Sequence, residues 1–328
     1  MAISTRVGKR QQGQRHGHGV WRNRYLRFSR QRFFPLFIIS LAFIALVPPL
    51  YFHFRLRHFH QMQLRKCRWL NDPPFVCAHG GDSTKAFPNT MAAYSTALRS
   101  QVDCIEIDVS RSSDGVLFAL HDRDLQRISG NSTSRVGHLS MKEIKELNAI
   151  HQFAQEFHDQ NIPTIEDALT LISGSVRQVI LDAKVGPPLY EKGLAKDIVS
   201  VVERTQCKNC LVWAKSDMLA RDIIKLSTDI MVGYIVMKDP STGARTNLLR
   251  MKGAGVVGVY HPLIEEKLVR ILHGRNKKVY AWTVDDVDTM QKMLFERVDA
   301  VVTSNPTLLQ RLMQDIRTQC LEKGFSLS

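Results

Sequence analysis

CIEIDVSRSSDGVLFALHD (Cys104–Asp122) carries more of the fold than any other run in this 328-residue chain. Its first half is apolar except for Glu106 and Asp108, two residues apart and so on one face of a strand. A strand this apolar on both faces belongs to a parallel sheet covered by helices. Asp114-Gly115, between two β-rich runs, signals a hairpin. A two-residue turn there pairs Ser113 with Val116 and, further down, Asp108 with His121, setting an imidazole beside a carboxylate.

Working outward, similar short runs recur. They are PFVCAH (Pro74–His79), VLFALHD (Val116–Asp122), QVILDAK (Gln178–Lys184), LVWAKS (Leu211–Ser216), IMVGYIV (Ile230–Val236), VVGVY (Val256–Tyr260), KVYAWTV (Lys278–Val284) and DAVVTS (Asp299–Ser304). Amphipathic stretches separate most of them. Ser140 with Glu143 forms a capping box, and Pro187 suits the first turn of the next helix. Nine strands, one of them used up in the hairpin, fit a (β/α)8 TIM barrel of about 250 residues. A doubly wound sheet is the alternative architecture, but no GxGxxG or P-loop run supports a nucleotide site.

The formal charge of +14 belongs to the N-terminus. Residues 1–71 hold fourteen Lys and Arg and no acid, whereas the rest of the chain holds 31 of each sign. The globular part is therefore neutral and has no basic face, which excludes nucleic acid as a partner. Phe33–Phe52 (FFPLFIISLAFIALVPPLYF) is twenty residues with only Ser40 and Tyr51 polar, enough to span a bilayer as a single transmembrane helix. Pro48 and Pro49 are expected to end the regular helix near Val47. The organisation that follows is a basic tail (1–32), a membrane anchor (33–54), a basic juxtamembrane linker (55–72), the barrel (73–315) and a C-terminal tail (316–328).

Nine basic residues precede the span and five follow it, which puts the N-terminus in the cytoplasm and the barrel in the lumen or outside the cell. The sequon Asn131-Ser132-Thr133 agrees with that side as a glycosylation site. An Arg-rich, acid-free N-terminus also suits a plastid or mitochondrial transit segment, the competing location. Cys77 and Cys104 read as small buried hydrophobes, and Cys207 with Cys210 as a short disulfide or two free thiols. His53, His58 and His60 flank the span and read as interfacial; His138, His151 and His158 read as solvated.

Catalytic groups in such barrels gather at the C-terminal ends of strands. Four successive runs end in reactive side chains: His79, then Glu106 with Asp108, then His121, then Asp182 with Lys184. Glu106, Asp108 and Asp182 offer hard oxygen ligands, which suit Mg²⁺ or Ca²⁺. His79 and His121 suit a general acid and base, Lys184 a phosphate oxygen, and Trp282 the substrate wall. The structural alternative makes Glu106 and Asp108 an internal ion pair with Lys184.

HGGDSTKAFPNTMAAY (His79–Tyr94), Cys104–Asp122, IPTIEDAL (Ile162–Leu169), VILDAK (Val179–Lys184), YAWTV (Tyr280–Val284) and VDAVVTSNP (Val298–Pro306) resemble, in order, the blocks of the glycerophosphodiester phosphodiesterases, with a membrane-anchored plant-type member the nearer likeness. The resemblance implies a barrel of the phospholipase C-like type that needs a divalent cation. It implies cleavage of glycerophosphodiesters such as glycerophosphocholine or glycerophosphoethanolamine to sn-glycerol 3-phosphate and an alcohol. His79 and His121 match the family's acid–base couple; Glu106, Asp108 and Asp182 match its metal ligands. Three departures stand out. Gly80 replaces the usual arginine, Pro88 the usual glutamate, and the third ligand is the shorter Asp182 rather than Glu. Two rival readings accompany this one: a membrane-tethered barrel that binds phosphodiesters without turnover, and a lysophospholipase D.

Overall fold

The computed structural model describes residues 30–84, 86–150 and 162–325, so His151 and His158 lie outside the described residues. The chain divides into two units, Met1–Phe59 and His60–Ser328. Helix α1 (Arg30–Cys67) is continuous through Pro35, Pro48 and Pro49, so the stop expected near Val47 does not occur. Apolar surroundings offer no water to take over freed backbone groups, and local adjustment keeps proline inside such helices. Every residue from Phe33 to Phe59 is exposed, and the helix is long and apolar enough to cross a membrane.

The second unit is a closed barrel. Its parallel strands are β1 (Phe75–His79), β2 (Cys104–Arg111), β4 (Gln178–Ala183), β5 (Cys210–Ala214), β6 (Met231–Val236), β7 (Val256–Tyr260), β8 (Lys278–Trp282) and β9 (Ala300–Thr303), and β1–β2 pairing closes the ring. Helices α2 (Met91–Arg99), α6 (Leu194–Arg204), α7 (Asp217–Leu226), α8 (Glu266–His273) and α9 (Val287–Glu296) make single-helix crossovers. Three helices, α3 (Asp122–Ser129), α4 (Met141–Ile150) and α5 (Ile165–Ile172), lie between the hairpin and β4, and residues 237–255 link β6 to β7 without one. Strand periodicity divides the core in two. Val76, Ile105, Ile107, Val179 and Leu181 face the helices. Cys77, Cys104, Ile180, Leu211 and Tyr280 fill the barrel.

The hairpin has the expected partners but another register. β3 (Leu117–Ala119) pairs antiparallel with β2 at Val109↔Ala119 and Arg111↔Leu117. Ser112 N–H donates to Val116 O at 3.0 Å, so the loop is Ser113–Gly115, with Gly115 at φ +83. Three-residue loops close with a left-handed residue, and glycine supplies it without a Cβ clash. The extra residue sets Leu120, not His121, against Asp108. His121 instead caps the N-terminus of α3.

Other expectations need adjustment. Cys77 and Cys104 are register partners on β1 and β2, with Cα atoms 4.5 Å apart, and form a disulfide rather than two buried thiols. Neither strand read by itself reveals that pairing. Cys207 joins Cys210, and Cys67 joins Cys320, leaving no free cysteine among the described residues. The capping box forms, with Ser140 N–H donating to Glu143 at 2.7 Å, but Pro187 precedes α6 by a turn-rich stretch instead of starting it. The C-terminal segment is not a tail from 316: α10 (Pro306–Glu322) buries Ile316 and Cys320. The end of the juxtamembrane segment is tied to it and to α9 through Arg65–Glu296 at 2.6 Å and Lys66–Gln319 at 2.6 Å.

Candidate active site

Parallel pairing sets the strand ends in register, and this builds the site. His79 is the partner of Glu106 across β1 and β2, and Asp108 is the partner of Asp182 across β2 and β4. All four alternate with residues facing the helices, so all point inward at the C-terminal end. One oxygen from each of Glu106, Asp108 and Asp182 lies within 4.8 Å of the others. Ligands sharing one ion at 2.0–2.6 Å stand at most about 4–5 Å apart, so this spacing fits a single hard divalent cation.

The charge balance supports the same reading. Among the described residues, Lys184 is the one ammonium bonded to the carboxylates, with Nζ 2.5 Å from Asp108 Oδ1 and in contact with Asp182 as well. Three carboxylates thus meet one bonded cation. Burial, then the Asp108 charge, pushes Glu106 well above the ordinary carboxylate range. Burial would raise Asp108 too, but Lys184 and the two histidines more than reverse this and hold it well below. Burial opposes the Lys184 charge, yet Asp108 and Asp182 overcome it and raise its pKa. Lys184, expected on a phosphate oxygen, lines the cavity and is bonded here to Asp108 and Asp182.

The histidines flank this cluster. His79 Nε2 stands 4.0 Å from Glu106 Oε2, and burial, only partly countered by Asp108, lowers its pKa. His121 Nδ1 accepts the Arg123 N–H at 3.2 Å, which leaves Nε2 to carry the proton of the neutral ring. Burial, then Lys184, pushes His121 down to about 4. One cavity is lined by His79, Glu106, His121, Asp182, Lys184 and Trp282, so the structure brings the expected site residues together, with Asp108 beneath. Trp282 Nε1 is buried without a hydrogen-bond partner among the described residues. Trp213 is core, packed edge-on against Tyr280.

The residue 79–308 region matches the Glycerophosphoryl diester phosphodiesterase family. This chain belongs to that family. It is 64% identical over 321 residues to glycerophosphodiester phosphodiesterase GDPD4 of Arabidopsis thaliana, covering 94% of this chain and 98% of that protein. A glycerophosphodiester phosphodiesterase of Caldanaerobacter subterraneus is 29% identical over 242 residues, 73% of this chain and 97% of its own. Among solved structures, an Oleispira antarctica phosphodiesterase in complex with the product sn-glycerol-3-phosphate superposes with a TM-score of 0.63 at 24% identity, over 74% of this chain and 97% of that one. A Silicibacter pomeroyi structure gives 0.61 at 20% identity, over 77% and 98%. These two show the shared barrel. Membership makes the chain a phosphoric diester hydrolase by class.

Several residues that matter here escaped the sequence reading as site residues. Asn89 donates Nδ2–H to Asp108 Oδ2 at 2.8 Å, accepts Asp108 N–H at 3.0 Å, and also accepts the buried Tyr94 hydroxyl at 3.3 Å. It lies in the Phe87–Thr90 run quoted for the resemblance. Gly80 N–H donates to Glu106 Oε2 at 2.9 Å, so this backbone orients the Glu106 carboxylate. Asn131 is exposed in a turn in which its side-chain oxygen accepts the Thr133 N–H at 2.9 Å.

Proposed function

We propose that the protein hydrolyses glycerophosphodiesters, such as glycerophosphocholine or glycerophosphoethanolamine, to sn-glycerol 3-phosphate and an alcohol, by two-histidine acid–base catalysis with a divalent cation. The observation that carries this is the placement of His79 and His121 on one cavity with the three-carboxylate cluster. Glu106, Asp108 and Asp182 would hold Mg²⁺ or Ca²⁺, which supplies positive charge to the phosphoryl oxygens.

The protein's own groups do the proton work. The glycerol hydroxyl next to the phosphoester attacks phosphorus, and its proton goes to His79. The imidazolium so formed has the Glu106 carboxylate at 4.0 Å. His121 protonates the departing alkoxide. It is neutral in the free site, and a docked anionic phosphodiester raises its pKa, as an opposite charge within about 4–6 Å does. The cyclic phosphodiester is then opened by water with the two roles reversed, giving sn-glycerol 3-phosphate. Trp282 forms part of the substrate wall.

A second reading, lysophospholipase D, is favoured by one feature. A cavity of about 240 Å³ adjoins the site, shares His121, Asp182, Lys184 and Lys215 with it, and is rimmed by the exposed Leu189 and Tyr190. The leaving group of a larger diester would lie there.

The apolar part of α1 anchors the protein in a membrane with the N-terminus cytoplasmic and the barrel lumenal or extracellular, and Asn131 carries a glycan. Support comes from three disulfides, which persist in oxidising compartments, and from the exposed sequon.

The test is release of glycerol 3-phosphate from glycerophosphocholine by the full chain in detergent, with Mg²⁺, Ca²⁺ or EDTA, beside His121→Ala. Cation-dependent turnover that disappears in His121→Ala supports the assignment. A folded protein inert with every cation and also on lysophospholipids would leave a binding barrel.

A further inference from the structure

Phosphoryl oxygens docked between His79 and His121 need positive charge beside them, and Gly80 has no side chain to supply it. Gly80 sits at φ +64, and a Cβ there would come within 2.9 Å of Pro88 Cβ. A longer side chain would therefore force the loop to move. Lys184 is already bonded to Asp108 and Asp182.

Two other cations line the same cavity, Arg123 in the first turn of α3 and Lys215 just beyond β5. Among the described residues Arg123 meets a carboxylate only at 3.9 Å, that of Asp124, which Arg127 holds more closely at 3.0 Å. Lys215 has no hydrogen bond or ion pair among the described residues, and its Nζ stands 5.9 Å from the centroid of the Trp282 ring. Burial, then the Lys184 charge, lowers its pKa, so an anion beside it relieves an existing cost. Two cations with no close carboxylate among the described residues thus line the same cavity, one from α3 and one from just beyond β5.

We infer that Arg123 and Lys215 are the phosphate-binding residues of this site, holding the non-bridging phosphoryl oxygens that the glycine at position 80 cannot reach. The planar guanidinium suits two oxygens at once, and the ammonium acts as a point charge. Their positions fit the path of the chain. Arg123 follows His121 by two residues, so the phosphate it holds lies within reach of that imidazole. Lys215 lines both the site and the adjoining cavity, which sets the phosphate at their junction. The inference rests on the phosphodiesterase reading for its substrate, but its ligand is phosphate itself.

The experiment therefore measures phosphate binding apart from turnover. Full-length protein in detergent at fixed Mg²⁺ is titrated calorimetrically with inorganic phosphate and with sn-glycerol 3-phosphate, for wild type, Arg123→Gln, Lys215→Met, the double variant and Lys215→Arg. Each single neutral substitution should weaken both ligands roughly tenfold and the double roughly a hundredfold, since charge-assisted bonds of this kind are worth at least one decade each. Lys215→Arg should stay within about threefold of wild type. Where the wild type turns over, KM of the neutral variants should rise more than their kcat falls, with the melting temperature unchanged. Phosphate binding by the double variant within twofold of wild type would overturn the inference, whatever the activity. Weakened binding in a chain that hydrolyses no diester would uphold it and sink the hydrolase reading instead.

Discussion

Asn89 and Asp108 hold each other twice, amide to carboxylate at 2.8 Å and backbone N–H to amide oxygen at 3.0 Å. Asn89 stands at φ +63, a conformation that Asn tolerates better than most side chains. The clamp fixes one carboxylate of the proposed cation site, and partners of this kind typically govern affinity by 10–100-fold. Asn89→Gly keeps the backbone conformation accessible and removes both bonds. Calorimetric titration with Mg²⁺ or Ca²⁺ should show a roughly tenfold or greater loss of affinity. Unchanged affinity in Asn89→Gly would make the clamp purely structural.

Glu106 is raised well above the ordinary carboxylate range by burial and by Asp108. A carboxyl group raised in the folded state stabilises the fold fully below its unfolded pKa, and that stability is lost as pH rises toward the folded value. In EDTA at pH 7.5, Glu106→Gln removes this cost and should melt higher by roughly 4 °C, about 1–2 kcal/mol. At pH 5 the difference should shrink, and the variant should lose the stabilisation that added cation gives wild type. A variant less stable than wild type at both pH values would mean the carboxylate is compensated without a cation.

How far the sequence carries is clear from particular residues. The barrel and the inward direction of Glu106, Asp108 and Asp182 follow from strand periodicity alone, because alternation fixes which face a side chain takes. The His121 position does not follow. One additional loop residue at Ser113–Gly115 moves the pairing by one and hands His121 to a helix cap. Asn89 and Lys215 sit on loops, and Arg123 on a helix start, whose positions depend on tertiary packing. The Cys77–Cys104 bond needs the register of two strands 27 residues apart in sequence. Pro48 and Pro49 misled because a long apolar helix tolerates proline through local adjustment, as membrane-spanning helices do.

Both histidines are shifted downward, His121 to about 4, with burial the main cause. A base is lost only when pH falls below its pKa, so a lowered His79 keeps its lone pair at and below pH 6.5. A cation on the carboxylates would push in the same direction. The acidic limb of kcat/KM should therefore have its midpoint below 6.5. Initial rates on glycerophosphocholine between pH 4 and 9 would show it. A midpoint above 6.5 would remove His79 as the neutral base of the free enzyme.

The three disulfides and the exposed Asn131 bear on one question, which side of the membrane the barrel occupies. Cys67–Cys320 ties the end of α1 to α10 across 253 residues of sequence, and a crosslink of that kind stabilises by about 2–4 kcal/mol. Cys320→Ser should lower the melting temperature by several degrees, since each kcal/mol shifts a domain of this size by about 2–4 °C. In a protein made in its native membrane, all six cysteines should resist alkylation until a reductant is added, because a reducing cytosol would leave them as thiols. Asn131→Gln should abolish a glycosidase-sensitive mobility shift in the same preparation. Blocked thiols with no glycan at Asn131 would keep the oxidising compartment and discard the modification. Six alkylatable thiols would instead turn the barrel to the cytosolic face and reverse the proposed topology.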